Sequence, residues 1–134
     1  MFNTASKILI VDDMLTIRKI AKKALMDLHF KNIEEASTGM EAWQIISKSP
    51  PFDFIICDWN MPKMTGLEVL SKIRNTPEIA KTPFILLTAE SDLAQVKTAI
   101  EAGVDDYVLK PFTADTLKAR LEAVHQKVLS RQVA

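Results

Sequence analysis

The chain has 134 residues, 48% of them hydrophobic, and its 17 basic and 17 acidic side chains cancel. That length suits one domain, residues 1–134, which buries roughly two-thirds of its unfolded surface, and the balanced charge lacks the basic excess that a nucleic-acid backbone attracts. Cys57 is the single cysteine, which excludes a disulfide framework or a zinc cluster, and no apolar run is long enough to cross a bilayer; a cytoplasmic monomer with neither membrane nor nucleic-acid partners is expected.

Lys7-Ile8-Leu9-Ile10-Val11 is a short apolar run closed by Asp12 and Asp13, after which Ile17, Ile20, Ala21, Ala24, Leu25 and Leu28 recur at helical spacing. The pattern predicts a strand, an acidic turn and a helix. Asn32 to Ala36 is a weaker strand candidate, and Thr38-Gly39-Met40-Glu41 has the form of a capping box opening a helix to about Lys48, stopped by Ser49-Pro50-Pro51. Phe54-Ile55-Ile56-Cys57 reads as a strand covered on both faces, and Asp58 is the first charge after it. Thr65-Gly66-Leu67-Glu68 is a second capping box, with Leu67, Leu70 and Ile73 on one face of its helix. Phe84 to Thr88 predicts a further buried strand, and Val96, Ala99 and Ile100 a helix stopping near Gly103. Tyr107-Val108-Leu109 then precedes Lys110-Pro111, and Thr113 caps a last helix with Leu117, Leu121, Val124 and Val128 inward and fraying from Lys127.

Alternating strands and helices joined by short loops imply a doubly wound parallel sheet, an α/β fold with helices on both faces. With the flavodoxin-like (βα)5 strand order 2-1-3-4-5, taken by analogy, Asp58 faces Asp12 and Asp13 across the crevice at the carboxyl ends of the strands, where such sheets bind ligands. Carboxylates so placed repel unless a cation intervenes, and Mg2+ suits a site of few carboxylates and waters beside a phosphoryl group. Lys110 offers a mobile charge and Thr88 a hydroxyl, both suited to phosphoryl oxygens. Taken singly, each residue has an ordinary use. Asp58 can start a turn, Asp12 and Asp13 can favour a helix N-terminus, Thr88 can end a strand, and Lys110 can be a solvated loop lysine. Their convergence from separate strand ends is what points to an aspartyl phosphate. His29 and His125 read as solvated residues, Trp43 as helix packing, and Met61 and Met64 as loop or packing residues.

Val11-Asp12-Asp13, Asp58-Trp59-Asn60-Met61-Pro62, Thr88-Ala89-Glu90 and Tyr107-Val108-Leu109-Lys110-Pro111-Phe112 follow one another in an order and spacing that resemble the receiver domain of two-component response regulators, over about Lys7 to Val128. Within that family the likeness is strongest to the CheY-like chemotaxis regulators. The resemblance implies that Asp58 is the phosphorylation site, accepting a phosphoryl group from a histidine kinase. It also implies that Asp13, Asp58 and the backbone carbonyl of Asn60 hold Mg2+, with Asp12 acting through water, and that Lys110 and Thr88 engage the phosphoryl oxygens. Thr88 and Tyr107 become switch residues, Tyr107 and Arg120 part of a partner face, and Asn60 and Glu90 tune a short phosphoryl lifetime. A cis Lys110–Pro111 peptide is a further implication. No output domain is expected, so the signal passes by protein contact. The implied partner is the flagellar motor switch protein, although Asp92 and Leu93 stand where the best-known chemotaxis member has lysines, which leaves another phosphorelay protein as the alternative.

Such a domain is not an enzyme apart from Mg2+-dependent self-phosphorylation from phosphodonors and autodephosphorylation. A dehalogenase-like, Mg2+-dependent aspartyl-phosphate phosphatase would instead place Asp-x-Asp after the first strand, where Asp12-Asp13-Met14 stands. A flavodoxin-type electron carrier would need a Ser/Thr/Gly-rich phosphate loop there, and an unphosphorylated scaffold would have no use for the acids.

Overall fold

The computed structural model describes residues 5–48, 51–89 and 93–133. Strands β1 (Lys7–Val11), β2 (Asn32–Ala36), β3 (Phe54–Asp58), β4 (Phe84–Thr88) and β5 (Asp106–Leu109) alternate with helices α1 (Leu15–Asp27), α2 (Gly39–Lys48), α3 (Gly66–Arg74), α4 (Leu93–Glu101) and α5 (Ala114–Val133). All pairings are parallel, in the order β2-β1-β3-β4-β5. This is the expected flavodoxin-like arrangement.

The two-residue period of each strand divides the core in two. Leu9, Val11, Ile55, Cys57, Phe84 and Leu86 pack on one face with Ala42 and Ile46 of α2, Val69, Leu70 and Ile73 of α3, and Ala99 of α4. Ile8, Ile10, Phe54, Ile56, Ile85 and Leu87 pack on the other with Ala21, Ala24 and Leu25 of α1 and Leu117, Leu121 and Val124 of α5. β3 and β4 are buried along their whole length, which explains why they read as unbroken apolar runs. Edge strand β2 carries exposed Asn32 and Glu34, hence its weak signal.

The capping residues behave as their spacing predicts. The Glu41 and Glu68 amides donate to the hydroxyls of Thr38 and Thr65, and the Thr116 amide donates to that of Thr113. At α2 the return bond shifts by one residue, because Glu41 accepts from the Ser37 amide. Gly103, at φ +94°, closes α4 with amide bonds from Gly103 to Ile100 and from Val104 to Ala99.

The helix marked by Val96, Ala99 and Ile100 is α4; of these three residues Ala99 is buried, whereas Ile100 is 62% exposed. Two expectations need correction. Helix α5 does not fray at Lys127. It continues to Val133, and the Lys127 ammonium donates to the Asp105 carbonyl at 2.7 Å. His125 is half-buried rather than solvated, its ionised form disfavoured by burial. Ser49 and Pro50, read as the stop after α2, and Glu90 and Asp92 lie outside the described residues.

Candidate functional site

Because the sheet is parallel, the carboxyl ends of β1, β3, β4 and β5 share one edge. Asp58 is the last residue of β3 and is 4% exposed, with Leu87 of β4 opposite it. Gly66 makes this position possible from behind. A Cβ on Gly66 would stand 2.2 Å from the Asp58 carbonyl oxygen, so only glycine lets the start of α3 approach so closely.

Asp12, directly after β1, is fully buried and held at every polar atom. Its amide donates to the Ala36 carbonyl, Oδ1 accepts from the Met14 amide at 2.8 Å, Oδ2 accepts from Lys110 Nζ at 2.8 Å, and its carbonyl accepts from Arg18 Nη1 at 2.7 Å. Asp13, one residue on, is exposed. One carboxylate oxygen from each of Asp12, Asp13 and Asp58 lies within 4.8 Å of the others.

Lys110, directly after β5, reaches into this group across the sheet edge. Its ammonium lies 2.8 Å from Asp12 Oδ2 and 3.1 Å from Asp58 Oδ1. The Lys110 amide donates to the Thr88 carbonyl, and the following Lys110–Pro111 peptide is cis, as expected. Thr88 is 2% exposed at the end of β4, so its position beside the crevice follows from the same strand edge.

The electrostatics match this crowding. Burial pushes the Asp58 carboxyl up to about 6, with the charges of Asp12 and Asp13 adding to the rise and Lys110 opposing it. Burial alone would lower the Lys110 ammonium, but its hydrogen bonds to Asp12 and Asp58 outweigh that and raise it. Burial also raises the Cys57 thiol, which donates to the Asp58 carbonyl, so this cysteine is chemically inert.

A hard divalent cation fits this donor set. Three acidic oxygens converge, two of the acids already share an ammonium, and Asp13 remains open to solvent.

The structure therefore brings Asp12, Asp13, Asp58 and Lys110 together, with Thr88 at the same edge. Asn60 is exposed in the loop after β3, and Glu90 lies outside the described residues. Tyr107 and Arg120 are apart from the acids. The half-buried Tyr107 and the exposed Arg120 line a cavity of about 330 Å³ with Phe112, Thr113 and Thr116, and Arg120 Nη1 lies 3.5 Å from Asp106 Oδ2. Met61 is buried and Met64 and Trp43 are half-buried against the core, as packing residues should be. Sequence reasoning missed Arg18, which sits in a basic stretch with Lys19, Lys22 and Lys23 that reads as a solvated helix face.

Comparison with known proteins agrees with this geometry. The profile of the response regulator receiver domain matches residues 8–122. The chain is 44% identical to the chemotaxis protein CheY-3 of Vibrio cholerae over 126 residues, covering 94% of this chain and 96% of that protein. It is 44% identical to the chemotaxis protein CheY of Pseudomonas aeruginosa, covering 91% and 98%. The structure of the chemotaxis response regulator CheY4 of Vibrio cholerae superposes with a TM-score of 0.83 at 34% identity, over 90% of this chain and 98% of that one. Sheet order, acidic crevice, bridging lysine and sequence similarity together make this chain a member of the response regulator receiver domain family, the phosphoacceptor module of two-component signalling.

Proposed function

We propose that the chain accepts a phosphoryl group on Asp58 from the phosphohistidine of a histidine kinase and signals through phosphorylation-dependent protein contact. The observation that carries this reading is the Lys110 ammonium seated between Asp12 and Asp58, at 2.8 and 3.1 Å, beside the open carboxylate of Asp13.

With a pKa of about 6, Asp58 is mostly carboxylate at neutral pH. One of its oxygens attacks phosphorus in line. The bond from phosphorus to the donor imidazole nitrogen breaks, and its electron pair stays on that nitrogen. The Lys110 ammonium, already at Asp58 Oδ1, follows the charge onto a phosphoryl oxygen, and the Thr88 hydroxyl donates to another. Asp13, Asp58 and the Asn60 carbonyl would hold Mg2+, with Asp12 in support, and the bound ion would supply positive charge that shields the carboxylates from one another and offsets the charge of a phosphoryl group. The site works on its own chain, with self-phosphorylation from small donors and autodephosphorylation, the latter tuned by Asn60 and Glu90.

Engagement of Thr88 favours a second arrangement in which Tyr107 moves inward, so the surface shared by Tyr107 and Arg120 reports the state of Asp58. The named chemotaxis relatives support a role in chemotaxis; the resemblance to the CheY-like regulators further implies action in the cytoplasm with the flagellar motor switch protein as partner. Asp92 and Leu93, which replace lysines of the best-known member, favour as a second reading a phosphorelay protein outside chemotaxis.

Incubation with acetyl phosphate and Mg2+ tests the chemistry. Wild type is expected to acquire an acid-stable, base-labile label that Asp58→Asn lacks. Label retained on Asp58→Asn, or steady phosphate release from a range of phosphomonoesters, would overturn the reading.

A further inference from the structure

Arg18 of α1 makes two sets of contacts that together span the site's outer wall. Nη1 donates to the Asp12 carbonyl at 2.7 Å, and Nε lies 3.2 Å from Glu35 Oε1 on edge strand β2. The guanidinium is largely covered, with the Arg18 side chain 15% exposed, and Lys22 meets the other Glu35 oxygen at 3.5 Å. Glu35 is itself placed by the backbone, since β2 is in register with β1 and the next residue, Ala36, accepts the Asp12 amide. The carbonyl that Arg18 holds belongs to the peptide linking Asp12 to Asp13. Its orientation therefore sets how the exposed acid stands relative to the buried one.

Among the described residues, the N-terminus of α1 is capped by no side chain of its own. Met14 at the cap is extended and gives no side-chain hydrogen bond, and the first turn contains no acidic residue. The Met14 amide, bonded to Asp12 Oδ1, closes over the peptide between the two acids from one side, and the guanidinium holds that peptide by its carbonyl. A planar fork suits this task, because one edge can bind a carbonyl while another pairs with a carboxylate.

We propose that Arg18, braced by Glu35, is a positioning residue for the metal-binding geometry of the Asp12-Asp13 pair. The proposal rests on the receiver reading of that pair. A plain surface ion pair would add little to stability and nothing to cation binding. Electrostatics and positioning also predict opposite signs. Removing a positive charge beside three carboxylates should strengthen cation binding, whereas releasing the peptide plane should weaken it.

Calorimetric titration of the full chain with Mg2+ at neutral pH separates these cases, with circular dichroism confirming that each variant is folded. Wild type should bind and Asp13→Asn should not; a wild type that takes up no Mg2+ overturns the receiver reading and this proposal with it. Given binding by wild type, Arg18→Met should weaken it about tenfold. Arg18→Lys keeps the charge without the fork and should show an intermediate loss. Should Arg18→Met fail to fold, Arg18→Lys carries the test alone. Mg2+ bound as tightly as wild type, or more tightly, by a folded Arg18→Met, or unweakened binding by Arg18→Lys, would overturn the positioning role while leaving the receiver reading intact.

Discussion

Asp58 is costly to the fold in the absence of a cation. Its folded-state pKa of about 6 lies above the 3.8 of an ordinary aspartate, so the folded chain binds the proton more tightly than the unfolded chain does. The favourable term is fully present below the unfolded value and is lost as pH rises through about 6. Asp58→Asn carries no such charge. In metal-free urea titrations, its stability relative to wild type should grow between pH 4 and pH 7 by roughly 1–3 kcal/mol. A difference that stays flat across that range would show that Asp58 is not electrostatically burdened. The same reasoning explains why Lys110 is drawn into the crevice: its ammonium offsets the charge of Asp12 and Asp58 and opposes the rise that burial imposes on Asp58.

At the scale of elements, helix ends show what local pattern can and cannot reveal. Gly103 announced the end of α4, because glycine tolerates the left-handed backbone found there at φ +94°. Helix α1 ends in the same hydrogen-bond motif, with His29 donating to Met26 and Phe30 to Leu25, yet the left-handed residue is His29 at φ 72°. No glycine marks it, so the stop was legible only from the last apolar residue, Leu28. His29 is exposed, and His29→Gly should relieve the backbone strain and raise stability by about 1 kcal/mol in denaturant unfolding. An unchanged or lower midpoint would show that the histidine side chain compensates. Helical period alone does not say which of its positions are covered: Val96, Ala99 and Ile100 mark α4 alike, but Ala99 is buried and Ile100 is left to solvent.

At the scale of the whole molecule, the acidic group proposed to bind Mg2+ is assembled only in the folded chain, because Asp12 and Asp13 follow β1 whereas Asp58 ends β3. A ligand bound to the folded state alone stabilises it by about 2.7 kcal/mol at a hundredfold excess over its dissociation constant. Saturating Mg2+ should therefore raise Tm in wild type, and the increment should disappear in Asp13→Asn. An equal rise in both proteins would indicate that Mg2+ acts elsewhere.

Sequence alone determined much of the architecture, since its signals are short-range. Apolar runs closing on a charge marked β1 and β3, threonine-to-glutamate spacing marked the starts of α2 and α3, and alternation of strand and helix implied a parallel sheet. It also named the acids, Thr88 and Lys110, because a parallel sheet must gather its strand ends at one edge. Tertiary structure alone decided how those residues are buried and paired. Asp12 is fully buried and bonded at every polar atom while its neighbour Asp13 is open, and Lys110 reaches both Asp12 and Asp58. Arg18 is set apart from the lysines around it by one carbonyl and one glutamate on another strand. These contacts depend on how far side chains reach between elements distant in sequence, and no local periodicity carries that information.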